Sequence, residues 1–582
     1  MDAARRLGPQ PVLLAAWHRS AAGRAVALRR LRDPAPCIAG AVLPGSAPPA
    51  PPALPGAHCR AVLARAASVA PPAGGWHGAY SGEAPAVALD LFAGGDVRPI
   101  WERSRWAELP LLVQAARLDP EGGHLVRAEA LLADWIAANP AYRGPNWACG
   151  QEAALRALHL SLALALLGRG TAPSAAARAL LALHGRRIAA TPSYGRAQDN
   201  NHAISEPAGL IACGLFCGDA GWVRQGAAAL ERAVLRLVAP CGAFAQASTG
   251  YHRLLLDVLA TAEWLAARHG GPVLPPDARH RVAAAAEWLW RLTDPEIGAT
   301  PRIGHQDGSA FADLALAGPD DARASIERAA RLFAGHAAGH AAEPGSTWLD
   351  LPATASTWTP PARWSSEGFL GWQAGPARAV LRTGAPRLRF RPGHADLLHL
   401  ELWDGSRALL RDGGTGSYNP PPEAAWWHDH FTGTAAHNTI AFDAADQMPR
   451  AGRFLFSHWP ATGLLPGGDG AWLRDHRGNR HARRVRHAGG GRRWTIEDTV
   501  SGPFRGLALR WRLPEEPGWS ATAEGAAGPA GRIAVTADAP LALTLEPGWH
   551  SPAYGVVRPA AVLVARAGAQ VTRLTSTFAM AG

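Results

Sequence analysis

Polar side chains crowd the start of a predicted helix in the stretch QDNNHAISEPAGL, residues 198–210. Asn200, Asn201 and His202 open this helix, and Glu206 follows His202 by four residues, so that His202 and Glu206 share one helical face. Such a pair could move a proton, with Glu206 orienting the imidazole and selecting its tautomer. The alternative is an asparagine N-cap followed by a surface His–Glu pair.

A second candidate is the stretch ASTGYHRLLLD, residues 247–257, where a Ser-Thr-Gly cap precedes another helix. Tyr251 and His252 lie at the start of this helix, and Arg253 follows them. A tyrosine hydroxyl both donates and accepts hydrogen bonds, which suits proton transfer, and a guanidinium matches a carboxylate. Packing of Tyr251 as an apolar contact at the helix start is the alternative interpretation.

The third candidate joins two later stretches, PGHADLLHLELWDGSRALLRDGGTGSY and HDHFTGTAAHNTIAFD. Together they place His394, Asp412 and His437 on neighbouring strand ends or loops. Two histidines and one carboxylate form a reasonable ligand set for Zn²⁺. Their wide spacing is not a metal motif, so a hydrogen-bonded His–Asp cluster stays open as the alternative.

A set of helices must hold the first two candidates. From about Ser104 to Phe333, runs such as RAEALLADWIAA, EAALRALHLSLALALLG and RLLLDVLATAEWLAARHG carry apolar residues at i, i+3, i+4 and i+7, with Gly, Pro and Asp between the runs. Antiparallel amphipathic helices of similar length must stack or close on themselves to bury their apolar faces. The pattern predicts a helical toroid or solenoid with a central cleft.

The pattern changes at about Ser365. Segments such as ARAVLRTG, LLHLELWDG and RLRFRPG (387–393) have strand length, alternate apolar with polar residues and end at turn-forming residues. Many short strands of this kind predict an antiparallel β-sandwich. The predicted fold is therefore multidomain, with an N-terminal helical segment and Pro-rich linker (1–56), an (α/α) toroid (57–350) and a C-terminal antiparallel β-sandwich (351–582).

Composition limits the class of protein but does not select a partner. The chain has 582 residues, a formal net charge of +11 and only six cysteines, and its Lys+Arg total consists of arginine alone. Such arginine usage looks like the coding bias of a GC-rich genome, so the charge says little about a polyanionic partner. No arginine block interleaved with aromatic residues indicates a nucleic-acid groove. No segment reaches the roughly 20 apolar residues of a membrane helix.

Taken together and in order, these stretches resemble the heparinase II/III family of polysaccharide lyases, which also includes alginate lyases of similar build. The resemblance rests on GPNWACGQEAALRALHL, NNHAISEP, TGYHR, HADLLHLELWDG, RDGGTGSY and TAAHNTIAFD, over roughly residues 100–450. It implies an (α/α) toroid, an antiparallel β-sandwich and, as in several members, a structural Zn²⁺. It also implies that the substrate is an acidic, uronate-containing glycan, cleaved by β-elimination.

The resemblance implies catalytic roles for three residues. Asn201 and His202 would bind and neutralise the uronate carboxylate, since donors there stabilise the enolate-like charge that develops when the C5 proton leaves. Tyr251 would act as general acid on the leaving oxygen at C4. Tyr251 would also serve as base if both groups act on one face of the sugar, whereas His202 is the better base if they act on opposite faces.

Other residues would bind substrate or metal. By resemblance, His252 lines the same subsite, and the metal-ligand positions match His394, Asp412 and His437. The remaining candidates for substrate binding are two subsite cations and the carboxylate that orients His202, namely Arg196, Arg253 and Glu206. Pro392 stands where members often carry a second histidine, which puts a base from that position in doubt.

Two other functions fit the same elements. A glycoside hydrolase would need two carboxylates flanking the scissile bond, and Glu152, Glu206 and Asp307 form no pair that the sequence can place. Asp307 is expected to line the cleft floor or hold a loop. The second alternative is a non-catalytic acidic-glycan-binding protein of the cell envelope. The resemblance favours a location in the cell envelope or periplasm, but the N-terminus lacks a clear signal peptide, so a cytoplasmic location stays open. The oligomeric state is also open, and a homodimer is one possibility.

Overall fold

A computed structural model of the protein describes residues 2–32, 38–44, 47–70, 74–309, 311–340, 343–384 and 392–581. Most of the predicted strand at 387–393 lies outside the described residues, as do residues 45 and 46 of the predicted linker. Over the described residues, helices dominate up to Trp348 and antiparallel strands begin at Arg363. The predicted fold class, a helical toroid followed by an antiparallel β-sandwich, is confirmed.

Three helices at the N-terminus form what we call the N-terminal arm: α1 (Asp2–Leu7), α2 (Pro9–Arg19) and α3 (Ala21–Arg30). The helices that follow are α4 (Gly56–Ala67), α5 (Arg98–Arg103), α6 (Glu108–Leu118), α7 (His124–Ala138), α8 (Gly150–Leu166), α9 (Ala175–Ala190), α10 (Pro192–Gln198), α11 (His202–Cys217), α12 (Ala220–Leu237), α13 (Thr249–Arg268), α14 (Pro276–Leu292), α15 (Arg323–Ala329) and α16 (Pro344–Trp348). Among the described helices, none is both long enough and apolar enough to cross a membrane.

The toroid has an inner and an outer ring of helices. Helices α6, α8, α11, α13 and α15 contact one another in chain order, while α7, α9, α12 and α14 pack on their outer sides. Every residue of α8 is buried, as expected for a helix surrounded by others. By contrast, α12 is amphipathic and buries only one face, which includes Leu230, Val234 and Leu237.

Hydrogen bonds show that three inner helices begin at the same end of the ring. The side chain of Asn201, just before α11, donates to Gln151 at the start of α8 over 2.6 Å. The backbone N–H of Asn201 donates to Gln246, just before α13, over 3.1 Å. This arrangement follows from the alternation of inner and outer helices along the chain, and it gathers the starts of α8, α11 and α13 around one opening.

The β-domain contains one short helix, α17 (Trp426–Thr432), and nineteen strands within the described residues. The strands are β1 (Arg363–Ser366), β2 (Gly368–Ala374), β3 (Ala377–Gly384), β4 (Leu400–Asp404), β5 (Arg407–Leu410), β6 (Ile440–Phe442), β7 (Arg450–Gly452), β8 (Leu455–Phe456), β9 (Ala461–Leu464), β10 (Gly470–Arg474), β11 (Arg480–Ala488), β12 (Arg493–Ser501), β13 (Gly506–Arg512), β14 (Ser520–Thr522), β15 (Gly525–Gly528), β16 (Gly531–Ala537), β17 (Leu541–Ala553), β18 (Val556–Gly568) and β19 (Arg573–Met580).

The strands form antiparallel sheets that share one apolar core. The largest has the order β14-β15-β16-β19-β12-β11-β10-β9, and sheets β1-β2-β3-β4-β5 and β17-β18-β13-β6 complete the layers, with a separate β7-β8 hairpin. Buried and exposed residues alternate along β11 and β12, as the two-residue period of a strand requires. Trp494 of the largest sheet and Trp511 and Leu563 of the four-stranded sheet belong to the same core.

The toroid and the β-domain are joined by apolar and polar contacts. Trp288 of α14 packs edge-on against Phe369 of β2, with 5.2 Å between ring centroids. Arg378 of β3 forms a buried ion pair with Asp294, with its Nη1 3.0 Å from Oδ2. The loops of the β-domain are therefore held at a defined position over the toroid.

A buried ion pair between β11 and β12 gives a stability prediction for the β-domain. Asp498 accepts hydrogen bonds from His481 at 2.7 Å and from Arg483 at 2.7 and 3.0 Å. Asp498→Asn leaves the guanidinium of Arg483 buried without a counter-charge, so we expect a loss of about 3–5 kcal/mol in the free energy of unfolding. Urea denaturation followed by tryptophan fluorescence measures this loss.

The matched control is Glu524→Gln, which breaks the exposed pair between Glu524 and Arg532. Solvent screens that pair, so its loss should change the free energy of unfolding by less than about 1 kcal/mol. Equal effects of Asp498→Asn and Glu524→Gln would contradict the assignment of Asp498 as a structural anchor.

Candidate active site

A cavity of about 640 Å³ lies between the starts of the inner helices and the loops of the β-domain. All three parts of the chain contribute to its wall. The toroid contributes Glu152, His202 and Tyr251, the β-domain contributes Gly393, Tyr418 and Phe454, and the N-terminal arm contributes His18, Arg19 and Arg24. The predicted central cleft is thus closed over by elements from both ends of the sequence.

Tyr251 lies on this wall because Ser248 caps α13 and accepts a hydrogen bond from the Tyr251 backbone N–H at 3.1 Å. The Tyr251 hydroxyl donates to Oδ2 of Asp307 at 2.8 Å and lies 3.3 Å from the hydroxyl of Tyr418. Burial and the nearby charge of Asp307 raise the pKa of Tyr251 well above its ordinary value. Tyr251 therefore keeps its proton at neutral pH.

Asp307 is held ionised by arginine. Arg98 of α5 donates to the Asp307 carboxylate at 3.1 Å and to its backbone carbonyl at 2.7 Å. Burial opposes ionisation, but the guanidinium groups of Arg98 and Arg105 lower the pKa of Asp307 to about 2. Asp307 lines the cavity, as expected from the sequence, and it also fixes the Tyr251 hydroxyl.

His202 begins α11 and lines the cavity next to Tyr194, whose ring meets it edge-on at 5.5 Å. Its Nδ1 is 3.2 Å from Oε1 of Glu206 and 4.0 Å from Sγ of Cys149. Burial alone would lower the pKa of His202, but the contacts with Cys149 and Glu206 outweigh it and raise the pKa to about 10. The imidazole is therefore a cation at neutral pH.

Asn201 has a different environment from the one expected. It is buried, and its amide donates to Gln151 while its backbone N–H donates to Gln246. It does not lie on the wall of the cavity, whereas Gln151, Gln246 and the adjacent Asn200 do. Asn201 is therefore connected to the cavity wall through Gln151.

All four predicted substrate-binding residues, namely His252, Arg253, Arg196 and Glu206, lie outside this cavity. His252 is buried in the toroid core, stacked on Trp288 at 4.7 Å and bonded to the carbonyl of Ala285 at 2.9 Å. It lies one position after Tyr251 on α13, so its side chain points to another side of the helix. The expectation that it lines the subsite is not met by its position.

Arg253 is also turned into the toroid, where it donates to Ser325 and to the carbonyls of Gly318 and Pro319. These contacts make it a structural residue of the toroid. Arg196 and Glu206 line a second pocket of about 280 Å³, which shares His202 as a wall with the larger cavity. Glu206 is therefore connected to the cavity through its contact with Nδ1 of His202.

The predicted metal-ligand residues come together in the β-domain. Ligand atoms of His394, Asp412 and His437 lie within 4.8 Å of one another, and all three residues are buried. Nδ1 of His437 is 2.8 Å from Asp412, while Nδ1 of His394 and Nε2 of His437 have no hydrogen-bond partner among the described residues. Two histidines and one carboxylate with ligand atoms this close form a group that could hold a metal ion.

This cluster is connected to the cavity through His305. Nε2 of His394 lies 3.2 Å from Nδ1 of His305, and the His305 ring meets that of Tyr418 edge-on at 5.3 Å. His305 and Tyr418 both line the cavity. Sequence reasoning did not single them out, although they stand in PRIGHQDGS and RDGGTGSY, because a lone residue in a loop carries no periodic signal.

Two further carboxylates of the cavity, those of Glu152 and Asp96, are hydrogen-bonded within the protein. Glu152 is buried and accepts two hydrogen bonds from Arg105, each 2.7 Å long. Burial would raise its pKa, but Arg105 lowers it below the ordinary value. Asp96 accepts hydrogen bonds from Tyr554 at 2.6 Å and from Ser417 at 2.7 Å, which ties the toroid loop to the β-domain.

Comparison with known proteins identifies the fold. Residues 359–576 match the family described as Heparinase II/III-like, C-terminal. No curated protein shows a significant sequence match to the chain. A crystal structure of heparinase III superposes with a TM-score of 0.65 at 14% identity, covering 98% of this chain and 92% of that one. The resemblance to the heparinase II/III family is thereby confirmed.

Two further solved structures agree. A heparinase III gene product superposes with a TM-score of 0.60 at 15% identity over 99% of this chain and 91% of its own. Heparan sulfate lyase HepC from Pedobacter heparinus gives 0.53 at 15% identity over 98% of this chain and 87% of its own. Residues 359–576 therefore form a heparinase II/III-like C-terminal domain within a chain that has the heparinase III fold along almost its whole length.

Proposed function

We propose that the protein is a polysaccharide lyase that cleaves a uronate-containing acidic glycan by β-elimination. The observation that carries this proposal is the pairing of a protonated tyrosine with an imidazolium on one cavity wall. Tyr251 is held at 2.8 Å by an ionised Asp307, and the carboxylate of Glu206, 3.2 Å from Nδ1 of His202, favours the imidazolium form of His202. Elimination needs both an acid for the leaving oxygen and a cation for the substrate carboxylate.

His202 neutralises the uronate carboxylate in this proposal. The C5–H of a uronate is a very weak acid, so its removal requires stabilisation of the negative charge that spreads onto the adjacent carboxylate. An imidazolium in the cavity wall supplies positive charge there, since its Nδ1 is bonded to Glu206 and no described residue accepts a hydrogen bond from its Nε2. Asn201 contributes as a positioning residue by holding the amide of Gln151 on the same wall.

Tyr251 gives its proton to the glycosidic oxygen at C4. Its raised pKa keeps the hydroxyl protonated, and Asp307 fixes the direction of that hydroxyl. Because His202 is already protonated, it is a poor base, which removes the main reason for assigning it the C5 proton. The imidazole of His305, which lines the same cavity, is a described group that can accept this proton when it is neutral.

The same contacts argue against a glycoside hydrolase. A hydrolase needs a carboxylic acid that is protonated at working pH, and hence a raised pKa. The pKa values of Asp307 and Glu152 are both lowered by arginine, and Glu206 faces the neighbouring pocket. The product distinguishes the two reactions, since elimination leaves a conjugated double bond that absorbs in the ultraviolet and hydrolysis does not.

The substrate class rests on the cavity and on the fold. The related structures are called heparinase III and heparan sulfate lyase, and their fold covers almost the whole chain. We infer a glycosaminoglycan or alginate as substrate. Incubation of heparan sulfate and alginate with the protein should increase ultraviolet absorbance, and new reducing ends without this absorbance would overturn the proposal.

We propose further that His394, Asp412 and His437 bind a structural Zn²⁺. Both nitrogen and oxygen ligands suit this ion, and two of the nitrogens lack any other described partner. The ion would join the loop before β4, the end of β5 and the loop before β6 into one unit. Through His394 it would also support His305 on the cavity wall.

Tyr251→Phe tests the acid. The variant keeps the ring and loses the hydroxyl, so turnover should fall about 100- to 10,000-fold while substrate binding changes little. Ultraviolet assays give kcat, and calorimetry gives the dissociation constant. Tyr142→Phe is the matched control, because the Tyr142 hydroxyl bonds the carbonyl of Leu183 inside the toroid and Tyr142 does not line the cavity. Retained turnover in Tyr251→Phe would remove this residue from the mechanism.

Glu206→Gln tests the charge on His202. Since the raised pKa of about 10 keeps His202 cationic below that pH, carboxylate binding should persist through neutral pH and be lost as pH rises through this value. Removing the Glu206 carboxylate lowers the pKa of His202, so binding should be lost at a lower pH. The pH dependence of kcat/KM and NMR titration of the imidazole report the change.

Glu231→Gln, the same substitution on the outer helix α12, should leave the pH profile of kcat/KM unchanged. An identical profile for Glu206→Gln and the wild-type protein would contradict the proposed coupling between Glu206 and His202.

Metal analysis tests the zinc site. Purified protein should contain one zinc per chain, and His437→Ala should lose this metal and lower the stability of the β-domain. His481→Ala is the control, because His481 is another buried histidine of the β-domain and lies outside the cluster. It should lower stability but retain zinc. Wild-type protein that is as stable without zinc as with it would refute the site.

A further inference from the structure

The N-terminal arm is part of the cavity wall and not only a terminal extension. Helix α2 packs on α10, and the ring of His18 lies 4.6 Å from that of Tyr194. Tyr194 in turn contacts His202 edge-on at 5.5 Å. The end of α2 is therefore joined to the candidate active site by two successive ring contacts.

The corner between α2 and α3 sets the positions of two arginines. Ser20 caps α3 by accepting a hydrogen bond from the Gly23 backbone N–H at 2.9 Å. A Cβ on Gly23 would lie 1.9 Å from the carbonyl oxygen of Trp17, so only glycine fits this close approach. Arg19 precedes the corner and Arg24 follows it, and both line the cavity.

The arm is anchored at two further points. Arg30 at the end of α3 donates to the carbonyl of Ala190 in the toroid at 3.1 Å. Arg6 of α1 lies over the ring of Trp459 in the β-domain, 5.9 Å from its centroid. The arm therefore bridges both domains beside the cavity, which holds the α2–α3 corner in place.

Arg19 and Arg24 differ from the other arginines of the cavity because no acidic side chain pairs with them among the described residues. Arg98 is paired with Asp307 and Glu102, and Arg105 is paired with Glu152. Arg19 and Arg24 form no ion pair or hydrogen bond with any described residue, and both are solvent-exposed. They are thus the guanidinium groups of the wall whose charge is available to a ligand.

We propose that Arg19 and Arg24 form an anion subsite of the cavity, contributed by the N-terminal arm. It binds a sulfate or carboxylate of the glycan other than the carboxylate at the reacting sugar. Guanidinium groups match both anions bidentately. The subsite lies on the His202 side of the cavity, next to His18 and Tyr194, and it rests on the proposed lyase function for the identity of its ligand.

The test compares Arg19→Gln/Arg24→Gln with the control Arg5→Gln/Arg29→Gln. Both pairs remove two exposed charges from the arm, but Arg5 and Arg29 do not line the cavity. In the Tyr251→Phe background, calorimetry measures the affinity for heparan sulfate and alginate. We expect the first pair to weaken binding about 2- to 30-fold and the control to leave it within about twofold. In proteins with Tyr251 intact, the same loss should appear in KM and not in kcat.

Three further measurements sharpen the result. The loss should shrink when salt rises from about 20 mM to about 300 mM, because screening weakens exposed charges. Thermal unfolding should be the same for both variants, since the four arginines are exposed. Chemically desulfated heparan sulfate separates the sources of the anion. A loss that persists on this polymer assigns a carboxylate, and one that disappears assigns a sulfate.

Equal binding by Arg19→Gln/Arg24→Gln and its control, or a loss confined to kcat, would overturn the subsite. If the wild-type protein binds acidic glycan through these arginines and yields no ultraviolet-absorbing product, the lyase proposal fails and the subsite stands. If the wild-type protein cleaves glycan and the variant has an unchanged KM, the subsite fails alone. Absence of any acidic-glycan binding would overturn both.

Discussion

The geometry of the cavity depends on the buried ion pair between Arg98 and Asp307. Asp307 could not remain ionised in a buried wall without this guanidinium, because removal of a carboxylate from water strongly favours its neutral form. Once ionised, it accepts a hydrogen bond from the Tyr251 hydroxyl and fixes the direction of that hydroxyl. The same charge raises the pKa of Tyr251. One ion pair between α5 and a loop therefore sets both the position and the protonation state of the proposed acid.

At the second proposed group, His202, the charges are reversed. Asp307 is an anion stabilised by arginine, whereas the cationic form of His202 is stabilised by Glu206. The two groups lie on starts of different inner helices, α11 and α13, which the alternation of the toroid brings to one end. Separate local partners thus maintain an acid and a cation on the same wall at the same pH.

The β-domain completes the wall through loops and not through its sheets. Tyr418, Gly393 and Phe454 reach the cavity from connections between strands, while the sheets provide a rigid support behind them. The proposed Zn²⁺ ligands lie at the ends of the same strands, and His394 contacts His305 on the toroid side. This contact joins the cluster of His394, Asp412 and His437 to the cavity wall.

Sequence periodicity was sufficient for the two-domain fold, since helical and strand patterns differ over long windows and each element must bury an apolar face. It also located Tyr251 and His202 on helix starts, where polar residues interrupt the apolar period. The direction in which each side chain points was harder to predict from the sequence. His252 follows Tyr251 by one position, which turns it into the core, and Asn201 precedes His202 by one position and bonds Gln151 instead of facing the cavity.

The sequence by itself therefore determined the order of helices and strands, and the short stretches in which chemistry is concentrated. Tertiary structure decided which of those side chains meet. Tyr251, Asp307 and Arg98 are far apart in the chain and come together only because the toroid closes, and the arm's Arg19 and Arg24 join them from the N-terminus. Local patterns encode backbone conformation and burial, but contacts between distant residues arise only when the packed helices and loops fix their relative positions.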